Sequence, residues 1–376
     1  MIIKTKDFQD AANKILLAAD LDKSAANLEL LSRKDALYLN VTNKEFYVSV
    51  KFPLENGAEF DATVDASLFL NLISGISVDE FSLSINGNAL VVNTGGSNYK
   101  LPMIFEGNAI MKLPEITIES EPTVEMYIET AILNSILTIN RRELIKAKNL
   151  DVNELQRLYY IDETGCFTFT TGACLNAFTL AKPVKLLLND RIVRLFKLFN
   201  TESVKFAMGQ DVLPNGTPVT KAVFATDTIY VAALISCDPV LLGKIQGPCN
   251  ATKQLIFSPY DNQVVLSANK LMSAVSRLML FTKNSIANAN MALVSVKATL
   301  SGDSFFLEDS MGNKEEIKLE NDSFVAAPYV MQLNLPDLKF VLDGYKNDYV
   351  TLNCGNHRSV IITRGTIYNL IPEGSK

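Results

Sequence analysis

Between residues 6 and 19 the apolar side chains Phe8, Ala12, Ile15 and Ala19 fall at i, i+4, i+7 and i+11, the spacing of one helix face. Short alternating runs rich in Tyr, Phe and Val follow, "LYLNV" and "FYVSV", and read as strands. A second helix is predicted at 65–76, with Asp65 as N-cap and Leu68, Phe69, Leu72, Ile73 and Ile76 as its apolar positions. After it, "FSLSINGNALVVN" predicts a hairpin turning at Asn86-Gly87.

The same order recurs twice. Residues 130–140 predict a helix, 158–171 a hairpin turning near Thr164-Gly165, and 190–199 a second helix followed by strands. Residues 268–283 predict a helix, 305–319 a hairpin about Gly312-Asn313, and 334–345 a helix with Pro336 in its first turn. The first helices begin at 6, 130 and 268 and the second at 65, 189 and 334, so the two lie 59, 59 and 66 residues apart. Such regularity predicts a triplicated α+β unit, each with two helices packed on antiparallel sheet. The expected domains are 1–118, 119–247 and 248–376, with junctions at 112–123 and 243–253, stretches rich in turn formers or charge.

Composition narrows the class. A chain of 376 residues with 48% hydrophobic and 20% charged content is globular and too long for one core. No apolar run reaches the roughly 18 residues of a membrane span, and the N-terminus lacks a signal-peptide pattern, so a cytoplasmic protein is expected. Five cysteines, none in a C-x-x-C pair, read as buried thiols. With one histidine, His357, neither a metal site nor a cofactor is expected.

The net charge of −6 resides in the first third, where residues 1–120 carry 10 Lys+Arg against 16 Asp+Glu. The remainder is balanced, so its cations are judged by placement. In "DRIVRLFKLF" (190–199) Arg191, Arg194 and Lys197 share one helix side, opposite Ile192, Leu195, Phe196 and Phe199. Lys270 and Arg277 share a face of the helix 268–283, and Arg141, Arg142 and Lys23 follow first helices. For one helix a solvated face explains such a row. Its recurrence at equivalent places favours a surface for phosphate backbone, binding without reading bases.

Several strings resemble the bacterial DNA sliding clamp, the β subunit of DNA polymerase III. "FDATVDASLFLNLISGI" through "NYKLPMI" resembles the second half of that family's first domain. "LYYIDETG" and "FTFTTGACLNAFTLAKP" resemble its central hairpin, and "LSANKLMSAVSRLMLFT" and "IYNLIP" the start and finish of its third domain. The resemblance covers nearly the whole chain and rests on order, since no single motif is diagnostic. It implies three tandem clamp domains, two copies of which form a ring around double-stranded DNA. It also implies a non-catalytic role as a processivity factor and, as partners, the replicative polymerase, the clamp loader and repair proteins with clamp-binding peptides. DNA-facing cations would be Lys23, which matches a basic loop position of the family, and Arg141, Arg142, Arg191, Arg194, Lys197, Lys270 and Arg277, placed by helix face. A peptide pocket would involve Ile161, Thr170, Gly172, Leu175, Pro239, Leu370 and Ile371. The dimer interface would use Tyr99, Leu101, Leu278, Met279 and Leu280, against the plainer reading that all five are core. Ala173 and Cys174 stand where the family commonly has His-Arg, and the tail after Pro372 differs, a divergence that would suit a phage or mobile-element clamp.

Two other classes compete. An enzyme would need a base for a nucleophilic Cys174, and only His357 is present; no phosphate-binding glycine motif occurs, and Asp79-Glu80 and Glu315-Glu316 read as solvated loop charges. An acidic protein-interaction scaffold that binds no nucleic acid is the alternative to a clamp.

Overall fold

The computed structural model describes residues 1–21, 26–55, 57–139, 158–169, 172–212, 216, 218–235, 239–288, 295–345 and 347–374, with the backbone alone at 239 and 282–288. Two compact units emerge, one of Met1–Leu137 with Arg191–Cys237, the other of Thr138–Asp190 with Asp238–Lys376. Among the described residues the α-helices are α1 (Thr5–Asp20), α2 (Ala66–Ser74), α3 (Thr130–Leu137), α4 (Asp190–Leu195), α5 (Pro239–Ile256), α6 (Ala268–Asn288) and α7 (Leu335–Asp343). The architecture is α+β, with every strand pairing antiparallel among the described residues. None of the described helices is long and apolar enough to cross a membrane.

In the first unit α1 buries Thr5, Phe8, Ala11, Ala12, Ile15 and Ala18, so Ala18 closes the stripe where the spacing predicted Ala19. Phe8 sits at the centre, with the rings of Phe52, Phe81 and Phe69 at 5.2, 5.5 and 6.3 Å. Asp65 caps α2, accepting a hydrogen bond from the Leu68 backbone N at 2.7 Å. Leu68 itself faces solvent, contrary to its expected place on the apolar face. The hairpin Glu80–Asn86 to Ala89–Asn93 closes through Gly87-Asn88, one residue later than predicted. Gly87 has φ +59°, the first central position of a tight hairpin turn where a side chain is disfavoured.

These strands belong to a four-stranded sheet ordered Ile2–Lys4, Glu80–Asn86, Ala89–Asn93, Asn98–Pro102. An eight-stranded sheet runs from Val124–Glu129 through Ser203–Val212, Pro218–Ala225 and Ile229–Ile235 into Phe46–Pro53, Ala36–Thr42, Asn27–Ser32 and Phe60–Asp65. Strands of the first and second predicted repeats meet where Ile229 pairs with Val50 and Ala233 with Phe46.

The expected junction 112–123 carries no helix or strand and is strapped to this sheet. Asp211 accepts from the backbone N of Glu119 and Ser120 at 3.2 and 3.1 Å and pairs with Lys221 at 3.1 Å. Lys221 Nζ also donates to the Thr117 carbonyl at 2.7 Å, and Tyr230 Oη to that of Ile116 at 3.0 Å.

In the second unit a nine-stranded sheet runs from Leu186–Asn189 through Leu158–Asp162, Gly165–Thr168 and Ala173–Ala177 into Ile367–Pro372, Ser359–Arg364, Tyr349–Cys354, Asn262–Ser267 and Phe324–Val325. Here strands of the second and third repeats join, with Ala173 opposite Leu370 and Leu175 opposite Tyr368. Directly opposed residues share a face, so Leu187, Tyr160, Phe167, Leu175, Leu370 and Ile361 lie together. Helix α5 covers them with Leu241, Ile245, Cys249 and Ile256. A second core gathers Leu271, Val275 and Leu278 of α6, Leu338 and Leu342 of α7, and Val360, Ile362 and Ile371. A four-stranded sheet of Lys314–Lys318, Ser304–Glu308, Ser295–Ser301 and Tyr329–Asn334 completes the unit.

One expectation is corrected. Residues 243–253, read as a turn-rich junction, form the middle of the 18-residue α5, with Pro248 inside it. Gly243, Gly247 and Pro248 disfavour a helix locally, but Leu241, Ile245, Cys249, Thr252 and Ile256 all bury on one stripe, and that packing overrides propensity.

The strap has a pH consequence. Burial disfavours the Asp211 carboxylate, yet its hydrogen bonds from Ser120, Glu119 and Lys221 outweigh this and hold its pKa at about 2. A depressed folded-state pKa contributes stability above the unfolded value of about 4 that is lost as pH falls toward 2. The urea midpoint of the native chain is therefore expected to drop between pH ~4 and ~2 more steeply than that of Asp211→Asn. Parallel acid profiles for the two proteins would contradict this.

Candidate nucleic-acid and peptide interfaces

Of the eight cations expected to face DNA, Lys23, Arg141 and Arg142 lie outside the described residues. The row 190–199 holds as helix α4 followed by a 3-10 turn, Phe196–Leu198. Ile192, Leu195, Phe196 and Phe199 are buried as predicted, joined by Val193 and Leu198. Arg191 and Lys197 are exposed and Arg194 is half-buried.

Several of these cations have carboxylate partners that sequence reasoning did not find. Arg191 Nη1 lies 3.3 Å from Glu45 Oε2. Lys270 Nζ lies 3.5 Å from Glu320 Oε1. Arg277 makes a two-pronged pair with Glu315, Nε to Oε1 and Nη2 to Oε2, each at 2.7 Å. That guanidinium holds the Glu315 carboxyl below its ordinary range. Glu315 and Glu316 are thus strand residues engaged with Arg277, Ser304 and Lys318, and the reading of them as loop charges is corrected. Glu80 likewise lies in a strand. The cation of each pair is exposed, where such pairs add little stability, so a phosphate can take the place of the carboxylate.

The residues expected to line a peptide pocket divide between the two faces of the nine-stranded sheet. Leu175 and Leu370 lie on the face covered by α5. Ile161, opposite Cys166, and Ile371, opposite Val360, lie on the other. Ile161, Leu175 and Ile371 are all buried. Thr170 and the side chain of Pro239 lie outside what is described. Gly172 opens the strand Ala173–Ala177 at φ +72°, and a Cβ there would sit 2.0 Å from the Leu370 carbonyl oxygen. Only glycine lets the two backbones meet.

Ala173 and Cys174 are buried strand residues. Burial pushes the Cys174 thiol up to about 12, partly offset by a hydrogen bond with Thr168, and Cys249 and Cys354 are raised similarly by burial. This is the reverse of a nucleophile's environment. Among the described residues no cluster of His, Cys, Asp and Glu is arranged to hold a metal ion.

The five residues expected at a subunit interface also divide. Leu101 and Leu278 are core. Tyr99 on the sheet edge Asn98–Pro102 is 42% exposed, Met279 is half-buried, and Leu280 is 62% exposed beside Phe281 at 53%. Tyr99 borders a hollow of about 250 Å³ with Leu72, Ile76 and Val78. Phe281 was missed, although the unbroken run "LMLF" signals a helix end with more apolar residues than one buried face takes.

No protein-family model matches the sequence, and no curated protein matches it. The fold matches solved structures along its entire length. The β subunit of DNA polymerase III from Thermotoga maritima aligns over 100% of this chain and 99% of its own, with TM-score 0.73 and 14% identity. The corresponding Streptococcus pneumoniae chain aligns over the same shares with TM-score 0.74 and 15% identity. The Helicobacter pylori β clamp, solved with a DNA ligase peptide, aligns over the same shares with TM-score 0.69 and 15% identity. The fold is that of the bacterial sliding clamps.

The glycine contact yields a stability test. Gly172→Ala combines a positive φ with a backbone clash and is expected to destabilise the chain by roughly 2 kcal/mol or more, read as a lowered urea midpoint. Gly302→Ala, also at positive φ but with open space about its Cβ, is expected to cost less.

Proposed function

We propose that this chain is a DNA sliding clamp. Two copies join head to tail into a ring around duplex DNA and tether the replicative polymerase, the clamp loader and repair proteins by short apolar peptides. The domains are residues 1–118, 119–247 and 248–376, and the role is mechanical, without catalysis or cofactor. The full-length fold match carries this reading. The edge strands Asn98–Pro102 and Lys314–Lys318 support dimer closure, since each ends its sheet and Tyr99, Leu280 and Phe281 leave apolar surface for a second copy.

DNA contact would come from Arg191, Arg194 and Lys197 along α4 and its 3-10 turn, with Lys270 and Arg277 on α6 and with Lys23, Arg141 and Arg142. The ion pairs at Arg191, Lys270 and Arg277 favour the alternative of an acidic protein scaffold, because they partly neutralise the surface. One experiment separates the two. Native protein is expected at twice the 41.4 kDa chain mass and retained on closed circular DNA but released from linear DNA. Changing Arg191, Arg194 and Lys197 together to Gln is expected to weaken that retention and to shrink the slope of log affinity against log salt by about 0.9 per lost phosphate contact. A scaffold would show neither topological retention nor any effect of the triple change.

A further inference from the structure

The strand Ile2–Lys4 ends its four-stranded sheet and borders a hollow of about 640 Å³. Met1 N donates to the Leu83 carbonyl at 2.9 Å and Leu83 N to that of Met1 at 3.0 Å, so the two form a hydrogen-bonded pair. Such pairs alternate along an antiparallel ladder. Ile2, opposite Ser82, therefore turns its own N–H and C=O away from the sheet, along the free edge. The register also fixes faces. Ile3 and Phe81 turn to the side on which α1 packs, with the Phe81 ring 5.5 Å from that of Phe8, and Ile2 and Lys4 turn to the other.

The hollow is both apolar and acidic. Ile2, 71% exposed, shares it with Phe52, Pro53 and Leu54. Asp7, Asp10, Glu55 and Glu80 bring four carboxylates to it against one cation, Lys4, which sits across the ladder from Glu80. Asp7 and Asp10, three residues apart, share one side of α1. Among the described residues 1–120 the acids held in ion pairs are Glu29, Glu45 and Asp61, so none of the four in the hollow is neutralised at close range.

We propose that this edge takes up an extended, basic segment of a partner protein, which adds to Ile2–Lys4 as a further strand with cations toward Asp7 and Asp10 and aliphatic side chains toward Ile2. Main-chain hydrogen bonds to Ile2 supply the docking, and the alternation of side chains supplies the selection. Charge names the occupant. Four carboxylates attract lysine or arginine and repel a phosphate backbone, and residues 1–120 hold the whole net charge of −6. The site lies in the first unit and uses none of the residues named for the peptide pocket or the subunit interface, so it stands apart from the clamp reading.

The probe is a short fluorescein-labelled peptide of alternating lysine and valine, titrated into the full chain. Three relatives accompany it: one of the same composition with its lysines and valines in two blocks, one N-methylated at the lysines and one N-methylated at the valines. Each methylated set loses the donors of one strand edge and keeps its charge and side chains. The native chain is expected to bind the alternating peptide about ten-fold more tightly than the block peptide, and methylation of one set to cost a similar factor while the other set is tolerated. Asp7→Asn, Asp10→Asn, Glu55→Gln and Glu80→Gln together are expected to weaken binding about ten-fold or more, and Ile2→Asn to weaken it with its salt dependence unchanged. All five side chains are exposed, and urea midpoints check the fold. No binding by the native chain overturns the proposal, as does binding that the quadruple variant retains in full, since it then occurs elsewhere. Binding that falls in the quadruple variant but ignores both methylated sets marks an acidic patch that gathers cations, and overturns strand addition. A solution mass that halves in the quadruple variant puts a second copy on this edge and overturns the foreign partner.

Discussion

Two antiparallel ladders hold the molecule's plan together. One sets Ile229–Ala233 against Phe46–Val50, the other Ala173–Asn176 against Ile367–Leu370. Each joins strands roughly 180 to 200 residues apart in sequence and merges neighbouring repeats into one sheet. A β-strand left at an edge exposes a row of unmet donors and acceptors, and these joins satisfy those rows within the chain. The edges at Asn98–Pro102 and Lys314–Lys318 end their sheets among the described residues. In the proposed ring, a repeat that pairs its inner edges with its neighbours would keep outer edges for a second copy.

Local order was legible wherever one short-range signal decided it. The stripe through Phe8 and Ile15, the Asp65 cap, the hairpins at Gly87 and Gly165 and the two-faced row 190–199 all follow from neighbours within a turn or two. The small slips share a cause: Ala18 replaces Ala19 and Leu68 turns outward because a helix settles its exact rotation against its partners. Residues 243–253 were misread for a stronger reason. Gly243, Gly247 and Pro248 speak against helix, and the five-residue stripe that overrules them becomes meaningful only once a sheet face lies beneath it.

The candidate sites were legible in part. Helical spacing put Arg191, Arg194 and Lys197 on the side opposite the buried stripe, because the period of a helix is fixed. It did not find Glu45, 146 residues away, or Glu315, 38 residues from Arg277. Side-chain direction in a strand alternates every residue, so the pocket residues were grouped by order along the chain when register sends Leu175 and Ile161 to opposite faces. Position in a sequence gives neighbourhood; only register gives side.

Under the proposed clamp reading, those distant carboxylates bear on how a net-acidic body would hold DNA loosely. A solvent-exposed ion pair stabilises by about 1 kcal/mol at most, so a phosphate that replaces Glu315 at Arg277 gains little beyond what it displaces, apart from released counterions. Each such contact would therefore be weak, salt-sensitive and quickly exchanged. In the proposed ring, enclosure would remove the need for tight grip, since dissociation would require opening an interface and not merely breaking contacts. On that reading, weak, replaceable pairs along α4 and α6 would be the condition for movement along the duplex: every stronger bond to phosphate would deepen the well that the proposed ring would have to leave at each step.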